Sequence, residues 1–375
     1  MSGDKMKKAV ERLMGIAGIE INGSNPWDVK ILDERFYEKV VANPSLGLGE
    51  SYMEGWWECE QIDELIAKIF NANLEKYITR SPGEIATLLL HRIFNYQTLI
   101  RSKEVAEKHY NIGNEFYQKM LGPSMNYSCG YWKGVSDLDS AERNKMELIC
   151  RKLMLRPGLK LLDIGCGWGS LARYAASNFG VEVTGITISG PQQEYAEKIC
   201  QGLPVKILNQ DYRTLSHGQY DRIVSVGMFE HVGYKNYHEF MKIVHHQLTE
   251  EGVFLLHTIG ANESSKYGDP WINKYIFPNG MLPSLVQIGQ AFETLFVMED
   301  WHNFGEDYDK TLMAWHQKFN EKWDELKGQY DDRFRRMWNY YLLSCAGGFR
   351  ARRLQLWQIV MTKHGLKQGF HQRDL

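Results

Sequence analysis

Apolar positions along the chain fall into two regimes. Over residues 1 to about 80 they recur at helical spacing, from Val10 to Ile19 and from Ile62 to Phe70. Between these, Asn43 to Gly49 carries Pro and Gly and predicts a turn. Ser81-Pro82-Gly83 then opens a new helix, with Ser81 as its N-cap and Pro82 at its first position. Ile85 to Lys108 mixes apolar and basic positions and reads as a connection between two domains. From Ala141 onward the period switches back and forth. Helix Ala141–Leu153 precedes strand Leu159–Ile164, a helix from Leu171 to Ser177, strand Val181–Thr187, helix Pro191–Gly202 and strand Pro204–Leu208. Strand Tyr220–Val226, helix Tyr234–Leu248 and strand Gly252–Thr258 complete the series. After Gly260 the alternation is expected to stop, giving way to an aromatic insertion with Trp271, Tyr275 and Phe277 and a helical C-terminal part.

Strands separated by helices predict an α/β fold, a parallel sheet with right-handed crossovers and helices on both faces. The expected organisation is a mainly helical domain over 1–80, a linker region over 81–108 and a larger domain over 109–375. Ligands of such sheets lie at the carboxyl ends of the strands. That rule singles out Gly165–Gly169, Thr187–Gln192, Asp211–Arg213, Gly227–His231 and His257–Ile259.

Composition removes several classes of function. The 375 residues carry a formal net charge of -2, which gives no general case for nucleic acid. Charge is uneven, however: Asp331 to Leu375 holds nine Lys/Arg against three Asp, and Arg92, Arg101, Lys103 and Lys108 stand together against Glu104 and Glu107. Such patches suit anionic headgroups or are simply solvated faces. The six cysteines form no C-x-x-C pair and no zinc spacing, so no metal is expected. Lys5, Lys7, Lys8, Glu11 and Arg12 interrupt any leader-like apolar run, and a cytosolic chain with reduced thiols is expected. No stretch reaches the roughly 18 apolar residues of a spanning helix, so membrane contact would be peripheral.

The chemistry begins at Leu161-Leu162-Asp163-Ile164-Gly165-Cys166-Gly167-Trp168-Gly169, a buried strand running into a glycine turn and a helix. Gly165 and Gly167 would let the backbone approach a ligand, and Gly169 would let the helix pack on the sheet. The spacing is G-x-G-x-G, not the G-x-G-x-x-G of dinucleotide sites. It resembles the first motif of S-adenosylmethionine-dependent methyltransferases, in which the preceding acid, here Asp163, serves the cofactor's amino-acid end. Asp211 past the third strand could accept from an adenine amino group, with Tyr212 against the base and Arg213 beside it, or could cap a helix. The second strand ends without an acid, so a ribose there would have to be held by the neutral Thr187, Ser189 and Gln192.

Several segments together resemble one family. They are Gly47-Leu48-Gly49-Glu50-Ser51-Tyr52-Met53-Glu54-Gly55-Trp56-Trp57, His109-Tyr110-Asn111-Ile112-Gly113-Asn114 and Asn126-Tyr127-Ser128-Cys129-Gly130-Tyr131-Trp132. Gly227-Met228-Phe229-Glu230-His231-Val232-Gly233 and Leu256-His257-Thr258-Ile259-Gly260 belong with them. The chain resembles the bacterial cyclopropane-fatty-acyl-phospholipid synthases over nearly all its length. The resemblance implies a Rossmann-like class I methyltransferase domain with a helical cap, behind a smaller helical domain. It implies S-adenosylmethionine as co-substrate, with Tyr127 and Ser128 near its methionine part. It implies an unsaturated phospholipid in a bilayer as substrate, a homodimer, and a cytoplasmic location against the inner leaflet of the cell membrane. A bound bicarbonate would be the base, held by the backbone of Cys129, by Glu230 and His257, by the backbone of Ile259 and by Tyr308.

That reaction explains the residue types. An acyl double bond is a weak nucleophile and must be held dry against a sulfonium methyl. Methyl transfer leaves a carbocation that aromatic rings tolerate, and a base must then take a proton from the new methyl. Cys345 matches a cysteine labelled active in the family, yet the chemistry has no need of a thiolate, and a free Cys among apolar residues is ordinary core. A methyl-branched, methoxy or unsaturated acyl product, a small-molecule or nucleic-acid methyltransferase, and a non-catalytic lipid binder are the competing readings. Against nucleic acid, no Asn-Pro-Pro-Tyr-type motif for a flipped base is present.

Overall fold

In the computed structural model, residues 3–74, 112–216 and 218–371 are described. The expected linker, 81–108, lies outside them, as do Arg92, Arg101, Lys103 and Lys108. The chain divides into two compact units, each made of separated stretches. The first takes the described residues up to 74 and adds Lys266–Pro278 and Tyr308–Leu354. It therefore differs from the contiguous 1–80 read from the sequence.

Four helices open the first unit: Gly3–Ile16, Arg35–Ala42, Pro44–Met53 and Ile62–Asn71. A short antiparallel ribbon, β1 (Lys30–Ile31) with β2 (Trp57–Glu58), lies between them in sequence. Pro270–Tyr275 and the long Asp332–Arg350 complete the packing. The turn expected at Asn43 to Gly49 is instead the start of a helix. Pro44 takes the first helical position, where its missing N–H costs nothing. The glycines are there for contact, not for a bend. A methyl added at Gly47 would fall 2.2 Å from the Lys39 carbonyl oxygen, and one at Gly49 would fall 2.4 Å from the Trp271 ring. Gly49→Ala is thus expected to destabilise the protein by about 1–3 kcal/mol through overpacking. Gly15, within Gly3–Ile16 and facing open space, gives the opposite result: Gly15→Ala should add about 0.5–1 kcal/mol. Urea melts of both variants check the pair.

Three of the C-terminal arginines make their ion pairs inside this unit. Arg350 pairs with Asp63 at 2.6 Å and with Asp309 at 3.0 Å. Arg336 lies over the Tyr52 ring at 4.0 Å and pairs with Glu58 at 2.7 Å. Arg333 meets Glu54 at 2.9 Å.

The second unit is built on a seven-stranded sheet in the order β5-β4-β3-β6-β7-β9-β8. Its strands are β3 (Lys160–Ile164), β4 (Glu182–Thr187), β5 (Val205–Asn209), β6 (Tyr220–Val226), β7 (Leu248–Ala261), β8 (Val297–Asn303) and β9 (Leu354–Thr362). β3 to β7 pair in parallel, as the alternation predicts. Period two sorts the side chains onto two faces. Leu161, Val224, Leu255 and Val360 pack with Ile149 and Ala172 of helices Leu138–Lys152 and Ser170–Phe179. Leu162, Ile223, Leu256 and Ile359 pack on the other face with Phe240 and Ile288 of helices Tyr237–Gln247 and Leu285–Phe292.

Two results depart from the sequence reading. The C-terminal part is not wholly helical, because β9 inserts between β7 and β8, and β8 pairs antiparallel with β9. β9 is buried along almost its whole length, so it shows a near-continuous apolar run and no alternation. Helix Leu138–Lys152 also buries a charged row, Glu142, Lys145 and Lys152. Lys152 meets Asp300 at 3.1 Å and His302 Nδ1 at 3.0 Å, fastening the helix to β8. Among the described residues, no helix is long and apolar enough to cross a membrane, and no cluster of His, Cys, Asp and Glu could hold a metal.

Candidate active site

At the carboxyl end of β3 the N–H groups of Gly165 and Cys166 both donate to the Ile186 carbonyl at 3.0 Å, tying the glycine turn to β4. Gly165, Gly167 and Gly169 all have positive φ, at 82°, 54° and 82°. Their roles differ. A methyl at Gly167 would project into open space, as a ligand cradle requires. A methyl at Gly169 would strike Ala196 Cβ at 2.8 Å, so this glycine admits helix Gly190–Ile199 rather than the sheet. At Gly165 the missing side chain makes room for Met228, 2.9 Å from where a methyl would stand.

Asp163 is buried in β3 with Oδ2 unpartnered. Burial pushes its carboxyl up to about 7, against the pull of the Lys145 charge. At the end of β4 the three neutral residues form one network. The Thr187 hydroxyl donates to Gln192 Oε1 at 2.8 Å, and Ser189 caps the next helix by accepting from the Gln192 N–H at 3.4 Å. Past β5, Asp211 caps the turn Tyr212–Thr214 and holds Arg213 through two hydrogen bonds of 2.8 and 2.6 Å. Tyr212 packs edge-on against Phe240 at 5.2 Å. On the other flank of the glycine turn, Tyr127 and Trp168 both lie against Tyr117, at 5.3 and 5.0 Å. An open cradle, an unpartnered acid and neutral hydroxyl and amide groups fit an amino-acid nucleoside cofactor.

A second group of polar atoms gathers at β6 and β7. Val226 is in register with His257, and the Gly227 N–H donates to the His257 carbonyl at 2.9 Å. The chain then makes the single turn Phe229–His231. This aims Glu230 back at β7, where its Oε1 accepts from the Ile259 N–H at 2.7 Å. The Glu230 carbonyl accepts from the Met281 N–H at 2.9 Å, and Phe229 stacks on Tyr237 at 4.2 Å, so the turn is fixed from both sides. His257 and Ile259, two apart, point to one face of β7. His257 Nδ1 lies 3.3 Å from Gln358 Nε2 of β9, and its Nε2 has no hydrogen-bond partner. Glu230 Oε2 has none either. Burial pushes the Glu230 carboxyl up to about 7 and pulls His257 well below the usual range, so the imidazole is neutral. Cys129 is fully buried on the loop after Tyr127.

Glu230, His257 and Ile259 are thus brought together, as their strand-end positions suggest. Tyr308 lies in the first unit, buried against Phe349 and Trp315. Cys345 is also in the first unit, and burial pushes its thiol up to about 12, so it is protonated at neutral pH. Two polar residues near these groups escape the sequence reading, Lys145 and Gln358, and Asn126 enters it only as part of a segment, with no role. Gln358 was hidden because its strand was expected as helix. Lys145 is a buried cation on helix Leu138–Lys152, where no sequence motif marks it.

Residues 97–359 match the family described as mycolic acid cyclopropane synthetase. Over 366 residues the chain is 51% identical to the cyclopropane-fatty-acyl-phospholipid synthase of Escherichia coli (strain K12), covering 98% of this chain and 95% of that protein. Among solved structures, the cyclopropane synthase MmaA2 from Mycobacterium tuberculosis superposes with a TM-score of 0.66 at 28% identity, covering 70% of this chain and 98% of that one. The mycolic acid cyclopropane synthase CmaA1 complexed with SAH and CTAB gives a TM-score of 0.65 at 29% identity, with the same 70% and 98% coverage.

Proposed function

The chain belongs to the mycolic acid cyclopropane synthetase family and has the class I fold of an S-adenosylmethionine-dependent methyltransferase, and from that premise we propose that it converts the cis double bond of an unsaturated phospholipid acyl chain into a cyclopropane ring, with bicarbonate as the base. The observation that carries the anion is the pair of buried, unpartnered polar atoms at the ends of β6 and β7, Glu230 Oε2 and His257 Nε2. When bound, S-adenosylmethionine supplies an electrophilic methyl and bicarbonate takes a proton from it, so that the ring closes and S-adenosylhomocysteine remains.

The residues suit that division of labour. Tyr127, Ser128 and Asp163 would hold the amino-acid end of the cofactor, with Gly167 against it. Thr187, Ser189 and Gln192 would hold the ribose, and Asp211, Tyr212 and Arg213 the base. Gln358 donates to His257 Nδ1, which leaves the neutral ring its Nε2–H to donate to an anion. A carboxylate would repel that anion, but a carboxyl raised to about 7 retains a proton at Oε2 and donates instead. The backbone N–H of Ile259 keeps Oε1 turned away. The backbone of Cys129 would complete the anion's ligands within the second unit; Tyr308 is assigned to it by the resemblance alone, and Cys345 has no assigned step.

The test is to incubate the purified protein with S-adenosylmethionine and vesicles of cis-unsaturated phospholipid and to analyse the fatty acids. A gain of one CH₂ with a ring visible by NMR supports the reading. The same mass with a surviving double bond means a C-methylated chain instead. Bicarbonate-depleted buffer is expected to suppress turnover, and added bicarbonate to restore it; undiminished activity in depleted buffer refutes the anion's role. We infer also a homodimer in peripheral contact with the inner leaflet, which light scattering and vesicle co-sedimentation at low and high salt examine.

A further inference from the structure

Lys145 stands where helix Leu138–Lys152 is otherwise packed against the sheet, and it is 2% exposed. An ammonium so far from water costs several kcal/mol unless its N–H groups and its charge are answered. Both are. Its Nζ donates to Ser128 Oγ at 2.8 Å and to Asn126 Oδ1 at 3.2 Å. The next residue of the helix, Met146, accepts from Asn126 Nδ2 through its sulfur at 3.8 Å. The groups that hold the ammonium's charge are Glu142 one turn earlier, Asp163 of β3 and the Cys129 thiol. Burial pulls the lysine down, and these three hold it up. His257 of β7 also feels that charge, which adds to burial in keeping its ring neutral.

The loop it grips has reason to need a hold. Met125, immediately before Asn126, sits at φ 49°, a left-handed conformation that is uncommon for a side-chain-bearing residue and persists where surrounding contacts enforce it. Residues 126–129 then carry Tyr127, Ser128 and Cys129, which the proposed function assigns to the cofactor and the anion.

We propose that Lys145 is a positioning residue for the cofactor's amino-acid end, its ammonium holding Asn126 and Ser128 so that the loop 126–129 is preformed when the cofactor arrives. The proposal rests on the reading of Tyr127, Ser128 and Asp163 as cofactor residues. Preorganisation places the cost of ordering the loop in the fold rather than in each binding event. The same cation is the charge that opposes the rise of the Asp163 carboxyl, so its removal affects the acid as well as the loop.

The experiment is calorimetric titration of the full chain with S-adenosylhomocysteine between pH 6 and 8.5, together with steady-state kinetics. Lys145→Met is expected to weaken binding about 10- to 100-fold, as befits the loss of hydrogen bonds to a charged group, and to raise KM for S-adenosylmethionine while kcat falls less than tenfold. Its affinity should climb with pH along a curve displaced to higher pH than that of the wild type, because Asp163 without its cation keeps its proton longer. Lys145→Gln keeps an amide donor without the charge. It should recover part of the affinity yet retain the displaced pH curve, and it carries the test if the methionine variant does not fold. Folded variants with wild-type affinity and an unmoved pH curve, whatever their melting temperature, overturn the proposal. A wild type that binds no S-adenosylhomocysteine overturns the cofactor reading, and the proposal with it.

Discussion

Glu230→Gln is expected to lower turnover by about 100-fold or more and, at alkaline pH, to make the unliganded protein more stable. The loss of rate follows from the role proposed for the carboxyl: correctly placed proton donors and acceptors contribute about 10²–10⁴-fold. An amide retains the bond from the Ile259 N–H but cannot present a titrating O–H at Oε2. The gain in stability follows from linkage. Burial holds the folded carboxyl near 7, against an ordinary value of 4.5. Between those two pH values the folded chain keeps a proton that the unfolded chain has released, so stability falls as pH rises through the window. Above it the full cost is present, about 3 kcal/mol at about 1.4 kcal/mol per pH unit. Asp163, also raised to about 7, adds in the same direction. Buried His231 and His257, held neutral below their ordinary range, act in the opposite sense as pH falls, so the comparison with the glutamine variant at each pH isolates Glu230. The glutamine variant should be the more stable of the two at pH 8, and the difference should vanish below about pH 4.5. Cofactor affinity should change little. A variant with full turnover, or with no gain in melting temperature at pH 8, contradicts the assignment.

Gly167→Val is expected to weaken S-adenosylmethionine binding at least 100-fold. Two effects combine. The position has φ 54°, which a β-branched residue adopts only under strain. The side chain would also enter the open space in front of the turn, where the cofactor is expected. Gly167→Ala separates them, since alanine bears the left-handed conformation at a cost of about 1 kcal/mol and still places a Cβ in the cradle. If the cradle holds the cofactor, the alanine variant remains folded and loses most of its affinity. Unchanged calorimetric affinity in a folded alanine variant would remove this turn from the site.

Much of this was legible because local pattern and global fold agree. β6 has the bounds read from the sequence and the other parallel strands agree to within a few residues, because turn residues bound them and all but β5 are followed by a helix with a different period. Glu230, His257 and the neutral Thr187, Ser189 and Gln192 could be singled out because an open α/β sheet delivers its strand ends to the ligand. The failures share a cause. Pro44, Gly47 and Gly49 look like a turn because local propensity cannot know that Trp271, more than two hundred residues away, demands a glycine. β9 was lost because a strand covered on both faces has no alternation to read. Lys145 escapes because a buried charge looks like a surface one until its partners are known.

β9 completes the sheet from a stretch that follows β7 by more than ninety residues, and each unit is assembled from three separated lengths of chain. On the ribosome, order of synthesis is therefore not order of completion. β7 is made long before the strand that covers its flank and before Gln358, which orients His257. Until residue 358 has emerged, a nascent chain exposes one open edge of β7, the other being paired with β6, and His257 lacks the Gln358 contact. Such contacts between distant segments are slow to form and leave apolar edges open meanwhile. A chain truncated before β9 is thus expected to aggregate rather than to act as a partial catalyst.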